Sequence, residues 1–224
     1  MSRVLRVLNI LVEGETEKEF VNNLIYHYLF AKGVFNIRPI TIETSPGFKG
    51  GDVRYEARYK SNIVNLLRGK EDMIVTSLID FYKLRNDFPK FEESKKITDV
   101  QVRVKFLEEA CAEDIPDGRF IPYIQLHEFE GLLFADTKGF DLFTNLLPSN
   151  KNQLVDIVKQ YQNPELINEG EQTAPSKRLE RLIPSYQKPL YGNIIALENG
   201  FEVLLKKCPR FKSWIDTLVK RMKD

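Results

Sequence analysis

Along the first half of the chain, short apolar runs alternate with stretches whose apolar residues recur at helical spacing. Val4 to Val12 is rich in Val, Leu and Ile, the composition of a strand covered on both faces. Glu13 and Gly14 end it, and Thr16 with Glu19 has the form of a capping box that starts a helix. Phe20, Leu24 and Tyr28 fall on one face of that helix, and Gly33 suits its C-terminal cap. A second strand is predicted over Asn36 to Thr44, followed by the Gly-rich loop SPGFKGGD and a helix from Val53 to Leu67, stopped by Gly69. The third strand runs from Met73 to Ile79 and closes on Asp80. After a polar loop, Asp99 caps a helix carrying Val100, Val104, Leu107 and Cys111, and a fourth strand, Phe120 to Leu126, ends at His127 and Glu128.

This alternation predicts an α/β domain over residues 1–135, with a mostly parallel four-stranded sheet flanked by helices. From Asp136 the strand signals stop. Gln153 to Tyr161, Ser176 to Ile183 and Arg210 to Met222 read as helices with Pro punctuation, and the last has a continuous apolar face of Phe211, Trp214, Ile215, Leu218 and Met222. Residues 136–224 are therefore expected to form an appended helical region packed on the sheet domain.

Composition narrows the function classes. With 33 Lys and Arg against 32 Asp and Glu, the 224-residue chain is nearly neutral, so a general polyanion-binding surface is not expected. Its two cysteines cannot build a disulfide framework or a four-cysteine zinc site. No apolar run approaches the roughly 18 residues that span a bilayer, and Arg6 and Asn9 interrupt the N-terminal stretch, which reads as a buried strand rather than a signal peptide. A cytoplasmic protein is expected. No GxGxxG, P-loop or G-x-S-x-G motif occurs. Asp80 with Glu93-Ser94-Lys95 matches the spacing of another nuclease pattern, but FEESKKITD is too charged for the buried strand that pattern needs.

Ligands of open α/β sheets bind beyond the carboxyl ends of the strands. Three of the four predicted strands end in acids: Glu13, Asp80, and Glu128 with Glu130 just beyond. Each alone reads as a helix cap or dipole partner. Together they would repel one another unless compensated, and a hard cation such as Mg²⁺ or Mn²⁺ suits an all-carboxylate set. His127 stands beside this edge, and Lys177 and Arg178 open the helix after Pro175, either as solvated cations or as phosphate contacts.

Val12-Glu13-Gly14-Glu15-Thr16-Glu17 after the first strand, with Asp80 closing a later one, resembles the Toprim domain of topoisomerases, bacterial primases and the OLD-family nucleases. More closely, Val12 to Glu17, Ile124 to Phe134 (IQLHEFEGLLF), Thr173 to Leu179 (TAPSKRL) and Cys208 to Trp214 (CPRFKSW) resemble a family of small bacterial Toprim-like proteins, often encoded beside an ATPase. The resemblance implies a Toprim-like fold, Mg²⁺ held by Glu13 and Asp80, and a lysine near the metals, for which Lys177 is the candidate. The sequence departs from the Toprim Asp-x-Asp, reading Asp80-Phe81-Tyr82. Asp87, Glu128 or Glu130 would have to supply the second acid.

The last twenty residues hold seven cations and two acids, a local +5 against −4 for the rest of the chain. Lys212, Lys220 and Lys223 are candidates for holding a nucleic-acid backbone, or they form a solvated helix face. Two functions follow: a Mg²⁺-dependent nuclease with Glu13, Asp80 and Lys177 as catalytic residues, or a non-catalytic partner subunit of an ATPase that binds nucleic acid or protein.

Overall fold

A computed structural model describes residues 6–45, 48–49, 53–82, 84–167, 170 and 172–224. Its sheet is built from β1 (Val7–Val12), β2 (Ile37–Thr41), β3 (Met73–Asp80) and a fourth strand in two pieces, β4 (Phe120–Ile121) and β5 (Ile124–Gln125). The order is β2-β1-β3-β4, every pairing is parallel, and β5 continues along β3. All six residues of β1 are buried, as expected of a central strand with helices on both faces.

The break in the fourth strand has a local cause. Val75 pairs with Phe120 and Ile79 with Ile124, so the register is the same on both sides of the gap. Between them Pro122 has no N–H to give a ladder. Ser77 bridges the gap instead: its Oγ donates to the Tyr123 carbonyl at 2.9 Å and accepts from the Tyr123 N–H at 3.0 Å. Tyr59 completes this hydroxyl's bonding at 2.7 Å. The outer edge at Ile124 is closed by side chains. Its N–H donates to Glu108, its carbonyl accepts from Arg210, and those two side chains pair at 2.8 Å. Such covering keeps an edge strand from recruiting another chain.

The first helix, α1, is a continuous run of Glu15–Phe20, Val21–Ile25 and Tyr26–Ala31. Its start corrects the expected capping box: the N-cap is Gly14, no side chain caps it, and Thr16 is buried within the first turn. The helix begins directly off the strand end, which carries Thr16 inside. Gly33 ends it as expected, with φ +89°. The helix α2 comprises Tyr55–Lys60 and Ser61–Leu67. The helix α3 (Val100–Asp114) is capped by Asp99, whose carboxylate accepts from the N–H groups of Gln101 and Val102. The expected strand over Asn36 to Thr44 stops at Thr41, and Glu43–Ser45 pairs antiparallel with Phe48–Lys49. Pro46, Gly47 and residues 50–52 of the expected Gly-rich loop lie outside the described residues, as do Val4 and Leu5 of the first strand. FEES forms a short helix with Glu93 exposed, which removes the alternative nuclease pattern.

The second half contributes α4 (Pro148–Gln160), α5 (Pro175–Leu182), α6 (Lys188–Asn199), α7 (Phe201–Lys207) and α8 (Pro209–Arg221). The sequence pattern anticipates α4, α5 and α8 but not α6 and α7. Gly200, at φ +84°, divides those two. Gly139 lets the preceding turn press on α6, since a Cβ there would lie 2.6 Å from the Ile195 carbonyl oxygen. These helices share one core with α1 and one face of the sheet, including Leu8, Ile10, Phe20, Phe129, Ile195 and Phe211. The other face is covered by α2 and α3. Trp214 ties α8 to the sheet, stacking on Tyr123 with ring centroids 4.4 Å apart and donating to Thr76 Oγ1. Among the described residues no helix is long and apolar enough to cross a membrane.

Candidate functional site

The adjacent parallel strands β1 and β3 deliver Glu13 and Asp80 to the same carboxyl edge of the sheet. The Asp80 N–H approaches Glu13 Oε2 at 3.5 Å. Asp80 Oδ1 accepts from the Phe129 N–H at 2.9 Å, which fixes the start of the 3₁₀ turn Phe129–Ala135 and with it Glu130. The first turn of α1 adds Glu17. Lys188 enters from the N-terminus of α6, and its Nζ lies 3.1 Å from Glu130 Oε1, 3.5 Å from Glu17 Oε1 and 3.9 Å from Asp80 Oδ2. Asn193 holds α6 against α1 by donating to the Thr16 carbonyl at 3.2 Å. Four carboxylates and one ammonium thus meet at one point, drawn from segments far apart in sequence.

The acids are crowded and largely buried, while the Lys188 side chain that faces them is 39% exposed. Glu130 is wholly buried and Glu17 is 4% exposed. Burial is the main force that raises the Glu13 carboxyl to about 7; Glu17 and Glu130 add to it, while Lys188 and the Asp80 N–H work against it. Burial likewise raises Glu130 to about 7, with Lys188 opposing and Glu128 and Glu17 adding. Asp80 is raised too, by burial first and by Glu17, Glu13 and Glu130, against the pull of Lys188. For Lys188, burial disfavours the charged ammonium, but Glu130, Asp80 and Glu17 outweigh it and raise its pKa. Both Glu130 carboxylate oxygens and the Tyr186 hydroxyl are buried without an aligned hydrogen-bond partner. Native interiors rarely leave such groups unmatched.

The remaining residues singled out in the sequence have other partners. Glu128 faces the N-terminus of α5, accepting from the Ser176 N–H at 2.9 Å and from its hydroxyl at 3.0 Å. Lys177 follows on the surface and pairs with Glu180 at 2.6 Å. Arg178 Nε donates to the Thr173 carbonyl, and its guanidinium lies over the Tyr161 ring. Asp87 accepts from the Tyr55 N–H at the start of α2. His127 is buried in the left-handed region at φ +60°, where its carbonyl accepts from the Tyr82 N–H; a non-glycine residue held there is a strained turn beside the acids. Lys212 pairs with Asp216 on α8, while Lys220 and Lys223 are exposed toward the C-terminus.

Sequence reasoning does not single out Glu17, Lys188 or Tyr186 as site residues. Glu17 has a signal, since it stands four residues after Glu13. Lys188 has none, being one lysine before a proline. Chemically, the cluster is an oxygen-donor set with more negative charge than its ammonium offsets, which fits a hard cation. In its present spacing the carboxylates surround Lys188, and among the described residues no three His, Cys, Asp or Glu side chains form a ready-made metal site.

A family model described as "Domain of unknown function (DUF4276)" matches residues 12–219. No curated protein matches the chain. A solved structure of the C-terminal region of the Xanthomonas campestris pv. campestris OLD protein is similar at 15% identity and a TM-score of 0.46, covering 97% of this chain and 94% of that one.

Proposed function

Taking as premise that the chain belongs to the DUF4276 family, whose description carries no activity, we propose that it is a divalent-metal-dependent phosphodiester hydrolase acting on DNA or RNA. The observation that carries this reading is the convergence of Glu13, Glu17, Asp80 and Glu130 on one point at the carboxyl edge of a parallel sheet. The resemblance of Val12 to Glu17 to the Toprim motif supports it.

Glu13 and Asp80, with Glu17 or Glu130, would hold Mg²⁺ or Mn²⁺. When bound, the ion supplies Lewis-acid stabilisation of charge on a phosphate oxygen. The chain's own residues account for the rest. Glu13 would serve there as metal ligand or as general base; in the metal-free cluster its carboxyl is raised to about 7. Lys188 brings the positive charge for which the Toprim resemblance makes Lys177 the candidate. Asp80 fixes the turn bearing Glu130 through its bond to Phe129. Lys212, Lys220 and Lys223 would hold the nucleic-acid backbone away from the reacting phosphate.

The experiment is a cleavage assay with Mn²⁺ on single- and double-stranded DNA and RNA, comparing wild type with Glu13→Gln and Asp80→Asn. Cleavage by wild type, abolished in both variants while binding persists, is the expected result. A second reading has one observation in its favour: Tyr82 stands where the second Toprim acid is expected, and a lysine already pairs with the cluster. On that reading the protein is a non-catalytic subunit acting with an ATPase. Wild type that cuts no substrate, alone or with such an ATPase, would favour it.

A further inference from the structure

We propose that Lys188 is a resident cation of the acid cluster, holding the place of a second metal ion, so that the native site admits a single divalent ion. This deepens the reading of the cluster as a metal site and rests on it. The argument is one of space and anchoring. Paired metal ions in hydrolytic sites sit roughly 3.5–4 Å apart and share carboxylate ligands between them. Here one nitrogen lies within 3.9 Å of oxygens from Glu17, Asp80 and Glu130, which is the position a shared second ion would need. Glu13 is the one carboxylate of the four with no ion pair to this ammonium, and it faces the Asp80 backbone. The Glu13–Asp80 side is therefore the side the ammonium compensates least.

Lys188 keeps 39% of its side chain exposed, and what holds it over the acids is the anchoring of its helix. It stands in the first turn of a twelve-residue helix, with Pro189 setting the turn. That helix is fastened to the acid-bearing elements by the bond from Asn193 to Thr16. Farther along, it meets Gly139, whose N–H donates to Asn199 Oδ1 at 2.8 Å. Withdrawing the ammonium far enough to seat a second ion would take from Glu130, wholly buried and with neither oxygen hydrogen-bonded, the ion pair at 3.1 Å that offsets its charge.

The test is Mn²⁺ binding to the full chain, read as free-ion signal by electron paramagnetic resonance, with thermal melts alongside. Wild type is expected to bind one Mn²⁺. Lys188→Met, which keeps the stem and removes the charge, is expected to bind two. Without metal it should melt below wild type, and it should recover as Mn²⁺ is added. Lys188→Arg should stay at one. Two ions on wild type would overturn the inference without any variant, which keeps it falsifiable should Lys188→Met fail to fold. One ion on Lys188→Met, at unchanged affinity, would also overturn it while leaving the metal site standing. Absence of binding by both wild type and Lys188→Met would overturn the metal reading and this inference together.

Discussion

Glu13→Gln should stabilise the metal-free protein, by an amount that grows as pH rises from about 4.5 to 7 and then levels off. The Glu13 carboxyl is raised from 4.5 to about 7, burial being the main cause. A carboxyl raised in the folded state contributes stability below its unfolded pKa and loses it as pH climbs through the folded value. Wild type therefore weakens between about pH 4.5 and pH 7, and at pH 8 the ionised Glu13 costs the fold about 3 kcal/mol at most. Gln leaves no charge to strand and sacrifices only the long contact to the Asp80 N–H at 3.5 Å. For a chain of this size, that corresponds to a rise in Tm of roughly 6–12 °C at pH 8, shrinking to about a quarter of that at pH 5. The assay is a series of thermal melts in EDTA from pH 5 to 8. Equal shifts at pH 5 and pH 8, or a loss of stability at pH 8, would refute the account of crowding in the cluster. Millimolar Mn²⁺ should reverse the order, because wild type gains from the ion what the variant cannot.

Other perturbations probe the frame around the site. Ser77→Ala should cost about 2 kcal/mol in denaturant unfolding, because the Tyr123 N–H and carbonyl beside Pro122 lose the hydroxyl that bridges them. Ser176→Ala should cost about 1–2 kcal/mol by removing one of two donors to buried Glu128, without changing Mn²⁺ stoichiometry. Replacing Lys212, Lys220 and Lys223 by Gln should weaken nucleic-acid binding alike for every sequence. The salt slope should fall by about one for each phosphate that is no longer neutralised, with turnover at saturation retained. Binding as tight as wild type would mark the tail as a solvated helix face.

Where local chemistry decides the structure, the sequence is readable. The apolar composition of Val7–Val12 and Met73–Asp80, the Asp99 cap and the Gly33 stop each act within a few residues. Glu13 and Asp80 are legible as a pair because parallel neighbours end at the same edge. The helices Lys188–Asn199 and Phe201–Lys207 are not, since what the first packs on is distant in sequence: a Cβ at Gly192 would meet Phe129 and Thr16. Lys188 escapes for the same reason: its partners, Glu17, Asp80 and Glu130, are assembled only by the tertiary fold. Glu128 and Asp87 read as candidate ligands in the sequence, yet each accepts from a backbone N–H at a helix start, a use of an acid that leaves the same local signature as a metal ligand.

The most direct measurement is the anomalous difference density of Mn²⁺ in crystals of the wild-type protein. A peak between the Glu13 and Asp80 carboxylates, with Lys188 still beside Glu130, is the predicted result. Crystals soaked in Mn²⁺ that show no peak at the cluster, with the carboxylates still gathered on the Lys188 ammonium alone, would contradict it.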